Sequence, residues 1–249
     1  MDAWQIAAVA LGPFAGSFVA TLVGRLEQGR PWALARSACA SCGVRLAPRD
    51  LVPLLSFALA RGRCRHCGVA IPRALPLAEL AGLGLGLLAA VATPGPAALA
   101  GAVLGWWLWA AGWLDWRTTW LPHGLTWPLV ALGLAASALG LTPAAQPSQA
   151  AIGALAGLVA MAALRLAWQR LRGREGLGAG DPPLTAAAGA WLGWAVLPPV
   201  LLAASLLGLA VAALRLRPGA RLAASAELPF GSLLGLAAYA AWLVAMARG

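Results

Sequence analysis

Charge is scarce in this chain. Only 10% of its 249 residues are charged, where roughly a quarter would be usual for a soluble globular domain. Lysine is absent: all 18 basic residues are arginine, set against eight acidic residues. With 61% hydrophobic residues, the composition excludes an ordinary water-soluble domain. The net charge of +10 could suggest nucleic acid, but the arginines lie in loops between apolar stretches, which argues against that partner. Basic residues are also missing ahead of the first apolar run, where only Asp2 stands. A cleaved signal peptide would show the reverse order, so this run reads as an uncleaved anchor. No repeat of fixed period is present.

What the chain has instead is apolar runs of roughly 18–20 residues, each long enough to cross a bilayer core as a helix. They fall at about 3–23, 75–92, 97–114, 123–141, 150–168, 183–196, 199–214 and 229–247. The last run but two is divided from its successor at Leu197-Pro198-Pro199, because a residue before proline resists helical geometry. The fold class is therefore an all-α polytopic membrane protein of about eight transmembrane helices, embedded in lipid, with one small hydrophilic loop domain. Residues 1–23 form the first span, 24–74 the loop domain, and 75–249 a seven-helix membrane domain. With this layout, 17 of the 18 arginines fall in or beside loops 24–74, 115–122, 169–182 and 215–228. The positive-inside rule makes those loops cytoplasmic and puts both termini outside. Abundant glycine and alanine suit close helix packing in lipid. Seven of the 13 tryptophans lie between Trp106 and Trp127 and read as interfacial anchors.

All four cysteines occupy the loop domain, as Cys39-Ala40-Ser41-Cys42 and Cys64-Arg65-His66-Cys67. Two C-x-x-C pairs at modest separation are the signature of a tetrahedral metal site, and zinc is the default ion for four thiolates. Gly43 and Gly68 follow the pairs, where a knuckle needs positive φ. Two disulfides are the rival reading, opposed by a cytoplasmic location. A closed four-thiolate site has no open position for chemistry and supplies folding energy to a loop with little core. His66 reads as a solvated loop residue, and His123 as a loop or cap residue. Glu79 is either an interfacial charge or a polar partner for the loop.

Two aspartates stand at the ends of apolar runs. One is Asp181 in Gly178-Ala179-Gly180-Asp181, the other Asp115 in Trp113-Leu114-Asp115-Trp116-Arg117. Carboxylates at a membrane boundary are costly and point to function. Two close carboxylates hold one proton between them, so one can take a proton from water while the other donates to a peptide oxygen. Gly178 and Gly180 would let a substrate backbone approach, with Asp181 capping a helix that Pro182 opens. Each motif alone is no more than a helix cap or a span end; together on one face they read as an aspartic protease site.

Further motifs occur in order along nearly the whole chain: Gly16-Ser17-Phe18 with Arg25-Leu26; Arg36-Ser37-Ala38-Cys39 through Cys67-Gly68, including Val52-Pro53-Leu54-Leu55-Ser56; Leu75-Pro76-Leu77-Ala78-Glu79; Leu121-Pro122 and Leu125-Thr126 after Asp115; and Leu228-Pro229-Phe230-Gly231. With these the chain resembles the type IV prepilin peptidases, membrane aspartic proteases of the GxGD type. The resemblance implies catalysis by Asp115 and Asp181 at the cytoplasmic face of a bacterial inner membrane. It implies prepilins or pseudopilins as substrates, cut at their basic leader. For many relatives it also implies methylation of the new N-terminus with S-adenosylmethionine. Two positions depart from the family pattern. Pro183 stands where a lysine is usual, and Ala20 where asparagine is common. The residues themselves carry no cofactor fingerprint and leave methylation open. A relative cleaving without methylating is one rival; a membrane scaffold or transporter with a partner-binding zinc loop is another. A transporter needs charge near midplane, whereas these aspartates sit at span ends. Oligomeric state is not legible.

Overall fold

The computed structural model describes residues 1–30, 36–144, 146–173, 176–215 and 228–248. The expected loop 215–228 falls mostly outside the described residues, as does Arg174 of the loop before the glycine-aspartate motif. The fold is all-helical apart from two isolated bridges among the described residues. In chain order the helices are α1 (Ala3–Glu27), α2 (Leu55–Leu59), α3 (Ala74–Ala92), α4 (Pro96–Thr118), α5 (His123–Ala138), α6 (Pro147–Arg172), α7 (Asp181–Leu192), α8 (Leu197–Arg215) and α9 (Phe230–Arg248). They gather into two compact units, residues 1–102 and 103–249.

In the first unit, α1 packs along α3. Its start is fixed by Asp2, whose Oδ1 accepts the N–H groups of Trp4 and Gln5 while the Gln5 side chain returns to the Asp2 N–H. This reciprocal cap satisfies donors that a helix start leaves open. Asp2 Oδ2 also takes the Gly95 N–H at 2.7 Å, tying the α3–α4 turn to the same end. The two helices touch through glycine. A Cβ on Gly12 would meet the Gly82 carbonyl oxygen at 2.6 Å, and one on Gly16 would strike the Ala78 carbonyl. Small residues at i, i+4 on both partners let the backbones meet in lipid, as the composition suggested.

In the second unit α7 is the centre. Every one of its residues is buried, among α5, α6, α8 and α9. It is packed against protein along its whole length. Trp191, at its far end, donates its indole N–H to the Leu129 carbonyl of α5 at 3.0 Å. Against α6 the spacing is again set by glycine: a Cβ on Gly153 would lie 2.5 Å from the Gly189 oxygen.

Two expectations change. Among the described residues six helices, α1, α3, α4, α6, α8 with the turn before it, and α9, are long and apolar enough to cross a membrane by length and composition, so the expected count of eight is not confirmed. The other two expected spans are helices, but α5 has 16 residues and α7 only 12, about 24 and 18 Å at 1.5 Å per residue. The break between α7 and α8 also lies earlier than the prolines. It falls at Gly193 (φ 80°), followed by a short turn over Trp194–Val196. Pro198 and Pro199 sit instead inside the first turn of α8, where a missing N–H costs nothing.

Candidate active site and metal centre

Asp115 lies in the last turn of α4. Its carbonyl accepts the Thr119 N–H at 2.8 Å, and Thr119 turns left-handed (φ 50°) to end the helix. Asp181 is the first residue of α7. Both carboxylates are buried, 5% and 6% exposed, in a chain where a buried charge needs a partner. Asp115 Oδ2 accepts the Ser232 N–H at 2.8 Å and lies 3.2 Å from the Ser232 hydroxyl, so the first turn of α9 grips it. Asp181 Oδ2 accepts the Gly178 N–H at 2.9 Å. The charge of Asp115 is felt at Asp181, which puts the two aspartates in one neighbourhood.

Leu121 lies against a glycine beside each of the two aspartates. A Cβ on Gly180 would meet the Leu121 oxygen at 2.5 Å, and one on Gly231 would lie 3.4 Å from Leu121 Cδ2 and 3.1 Å from Asp115 Oδ2. Both motif glycines are also required by their immediate surroundings. Gly180 makes room for the Leu121 backbone, and Gly178 for the Asp181 carboxylate, which a Cβ would meet at 3.3 Å. Asp181 itself is no N-cap. Gly180 holds that position, and the Asp181 side chain bends back to Gly178 from inside the helix. Thr185, fully buried, donates its hydroxyl to the Asp181 carbonyl at 2.9 Å.

From α6, Arg165 donates through Nε to the Leu177 carbonyl at 3.2 Å. Neither it nor Ser232 is marked as a site residue by sequence motif. Arg165 offered one signal, a lone arginine between Leu164 and Leu166; Ser232 offered none, being 117 residues from Asp115. His123 begins α5 and is exposed.

The cysteines form two near-identical knuckles in the first unit. Cys39 N–H donates to the Val44 carbonyl and Gly43 N–H to Cys39; Cys64 and Gly68 repeat the pattern with Val69 and Cys64. Antiparallel bridges Ala38–Arg45 and Arg63–Ala70 close them. Gly43 and Gly68 turn at φ 68° and 70°, as the sequence predicts. All four sulfurs lie within 4.8 Å of one another, and none is in a disulfide. Cys39 and Cys67 Sγ are 3.9 Å apart, close to the edge of about 3.8 Å of a tetrahedron with 2.3 Å metal–sulfur bonds. The residues thus fit a four-thiolate metal. Backbone N–H groups of Cys42 and Ser41 lower the Cys39 thiol to about 6, and those of Cys67 and His66 lower Cys64. Such donors favour thiolates, the form that binds metal. Arg65 Nε pairs with Asp50 Oδ1 at 2.9 Å beside the second knuckle. Of the two readings of Glu79, the loop partner holds: 8% exposed, it accepts the Leu54 N–H at 2.7 Å, where Leu54 takes a left-handed φ of 61°.

Comparison with known proteins gives the family. Residues 102–213 match the model of the type IV leader peptidase family, and residues 10–93 that of the bacterial peptidase A24 N-terminal domain. The prepilin leader peptidase/N-methyltransferase of Dickeya chrysanthemi is 38% identical, over 94% of this chain and 90% of its own length. Proteins of the same description from Aeromonas salmonicida (strain A449) and Burkholderia pseudomallei (strain K96243) are 40% and 38% identical. They cover 84% and 91% of this chain, and 71% and 81% of their own lengths. No solved structure matches the chain significantly. Two family models in register, and a relative aligned nearly end to end, place the chain in the type IV leader peptidase family.

Proposed function

We propose that this chain is a membrane aspartic endopeptidase in which Asp115 and Asp181 act as one catalytic unit. Its substrates are the leaders of type IV prepilins or type II secretion pseudopilins. The observation that carries the reading is the pair itself: two buried carboxylates from different helices, each held by a backbone N–H, with the charge of Asp115 felt at Asp181. Two such groups share a proton. The ionised member removes a proton from the attacking water, and the protonated one donates to the scissile carbonyl oxygen. The pair titrates together, so neither role belongs to one residue.

The arginine distribution supports an inner-membrane location with the dyad at the cytoplasmic face, where a basic leader meets the start of an apolar helix. Residues 24–74 are the zinc-binding domain and 75–249 the membrane catalytic domain. Cys39, Cys42, Cys64 and Cys67 would hold zinc, which supplies folding energy to their loop and takes no part in hydrolysis. N-methylation of the product, with S-adenosylmethionine as methyl donor, is carried by the relatives' printed name alone. A methyl-transfer assay on cleaved product tests it separately.

The deciding experiment is conversion of prepilin to mature pilin in membranes containing Asp115→Asn, Asp181→Asn or both. Asn keeps size and hydrogen bonding but cannot cycle a proton. Each single variant is expected to abolish cleavage at normal abundance, and the double to be no worse, since residues acting as a unit are non-additive. Near-normal cleavage by either single variant overturns the reading.

A further inference from the structure

The peptide unit joining Leu177 to Gly178 is held at both ends by charge. Its carbonyl accepts from Arg165 Nε at 3.2 Å, and its N–H donates to Asp181 Oδ2 at 2.9 Å. We propose that Arg165 is a positioning residue for Asp181, fixing the carboxylate through this single amide and supplying positive charge to it from α6. The inference rests on the catalytic reading of Asp181.

Three arguments support it. First, Arg165 is half-buried near the C-terminal end of α6, where its neighbours Leu164 and Leu166 are exposed, and its Nε is committed to the Leu177 carbonyl. Second, a guanidinium on an amide oxygen polarises the amide and strengthens its N–H as a donor, because hydrogen bonds in a chain reinforce one another. The charge of Arg165 is itself felt at Asp181. Third, the segment being held needs holding. Residues 176–180 are Gly-Leu-Gly-Ala-Gly, irregular in backbone, with Gly176, Gly178 and Ala179 exposed. Three glycines in five residues leave the backbone free to wander. An anchor on Leu177, one residue before the N–H that grips Asp181, removes that freedom where it matters. Arginine suits the task, being permanently charged and rigidly forked.

The test is the kinetics of leader cleavage by purified full-length enzyme carrying Arg165→Met, Arg165→Gln or Arg165→Lys, beside Asp181→Asn. Met removes charge and donor, Gln keeps a donor without charge, and Lys keeps both. Arg165→Met is expected to lower kcat about tenfold, the scale of one charge-assisted hydrogen bond, with KM within about twofold. Arg165→Gln should fall between Met and wild type, and Arg165→Lys should stay within about threefold of wild type. The rescue by Lys separates positioning from a general folding defect. An Arg165→Met enzyme with wild-type kcat, a deficit confined to KM, or a Lys variant as slow as Met overturns the inference. The two levels separate cleanly: cleavage by Asp181→Asn sinks the dyad, whereas a dead Asp181→Asn beside an unaffected Arg165→Met sinks only the role of Arg165.

Discussion

Ser232 approaches one oxygen of Asp115 from two atoms, yet only its N–H is a committed donor. The hydroxyl carries a single proton and lies 2.7 Å from the Gly112 carbonyl but 3.2 Å from Asp115 Oδ2. The shorter contact takes the proton, so the carboxylate is held chiefly by the α9 backbone. The hydroxyl mainly ties α9 to α4.

A first prediction follows from that division. Ser232→Ala leaves the N–H in place, so kcat for leader cleavage should stay within about threefold of wild type. Loss of the bond to Gly112 should cost about 1 kcal/mol of stability, read as a lower Tm in detergent. A loss of activity as complete as that of Asp115→Asn would show instead that the side chain governs the carboxylate.

The motif glycines should not be equally sensitive. An added methyl on Gly180 meets the Leu121 backbone at 2.5 Å, and that backbone cannot swing aside. On Gly178 it meets only the end of the Asp181 side chain, at 3.3 Å. Gly180→Ala should therefore lower kcat on the order of 100-fold, as displacement of a catalytic group by about 1 Å does. Gly178→Ala should be clearly milder. Equal kcat values for the two would show that the contact of Gly180 with Leu121 does not position Asp181.

Metal analysis of the purified chain should return about one zinc per molecule, the count for one four-thiolate site. Cys39→Ser with Cys67→Ser should abolish it and leave residues 24–74 sensitive to protease. Because thiolates bind the ion and release protons, retention against a chelator should fall as pH falls. Full zinc content in the double variant would exclude the site.

Close packing of α6 on α7 predicts a stability effect away from the chemistry. Gly153→Ala puts a Cβ 2.5 Å from the Gly189 oxygen and 2.8 Å from the Gly193 carbonyl carbon. Overpacking of this kind costs about 1–3 kcal/mol. Tm in detergent should drop by several degrees, and an unchanged Tm would mean that the two helices separate freely.

Much of this was legible from residue order. Long apolar runs between arginine-rich loops located α1, α3, α4, α6 and α9, and the two C-x-x-C-G pairs fixed the knuckles down to their positive-φ glycines. The boundary of α7 was not legible. Its apolar run continues into α8, and hydropathy cannot distinguish a helix buried in protein from one buried in lipid. The paired prolines look like a break but occupy a helix start, while Gly193 makes the turn. Contacts that join distant segments left no trace either: Ser232 on Asp115, Leu121 against Gly180, and Glu79 on the left-handed Leu54. Each depends on which helices become neighbours, which period and composition do not encode.

The shortness of α7 has a consequence for the second reactant. Twelve residues span about 18 Å, and hydrocarbon about 30 Å thick lies on either side of a spanning protein. The helix cannot fill that depth, and unfilled depth is tolerated only where other protein or water satisfies the backbone. At the end that begins with Asp181, Gly180 is buried, but Gly178 and Ala179 just before it are exposed and irregular in backbone. Hydrolysis consumes one water per bond cut, and this exposed segment lies within three residues of Asp181. Because α7 begins at its aspartate, that residue stands beside exposed chain rather than midway along a buried helix.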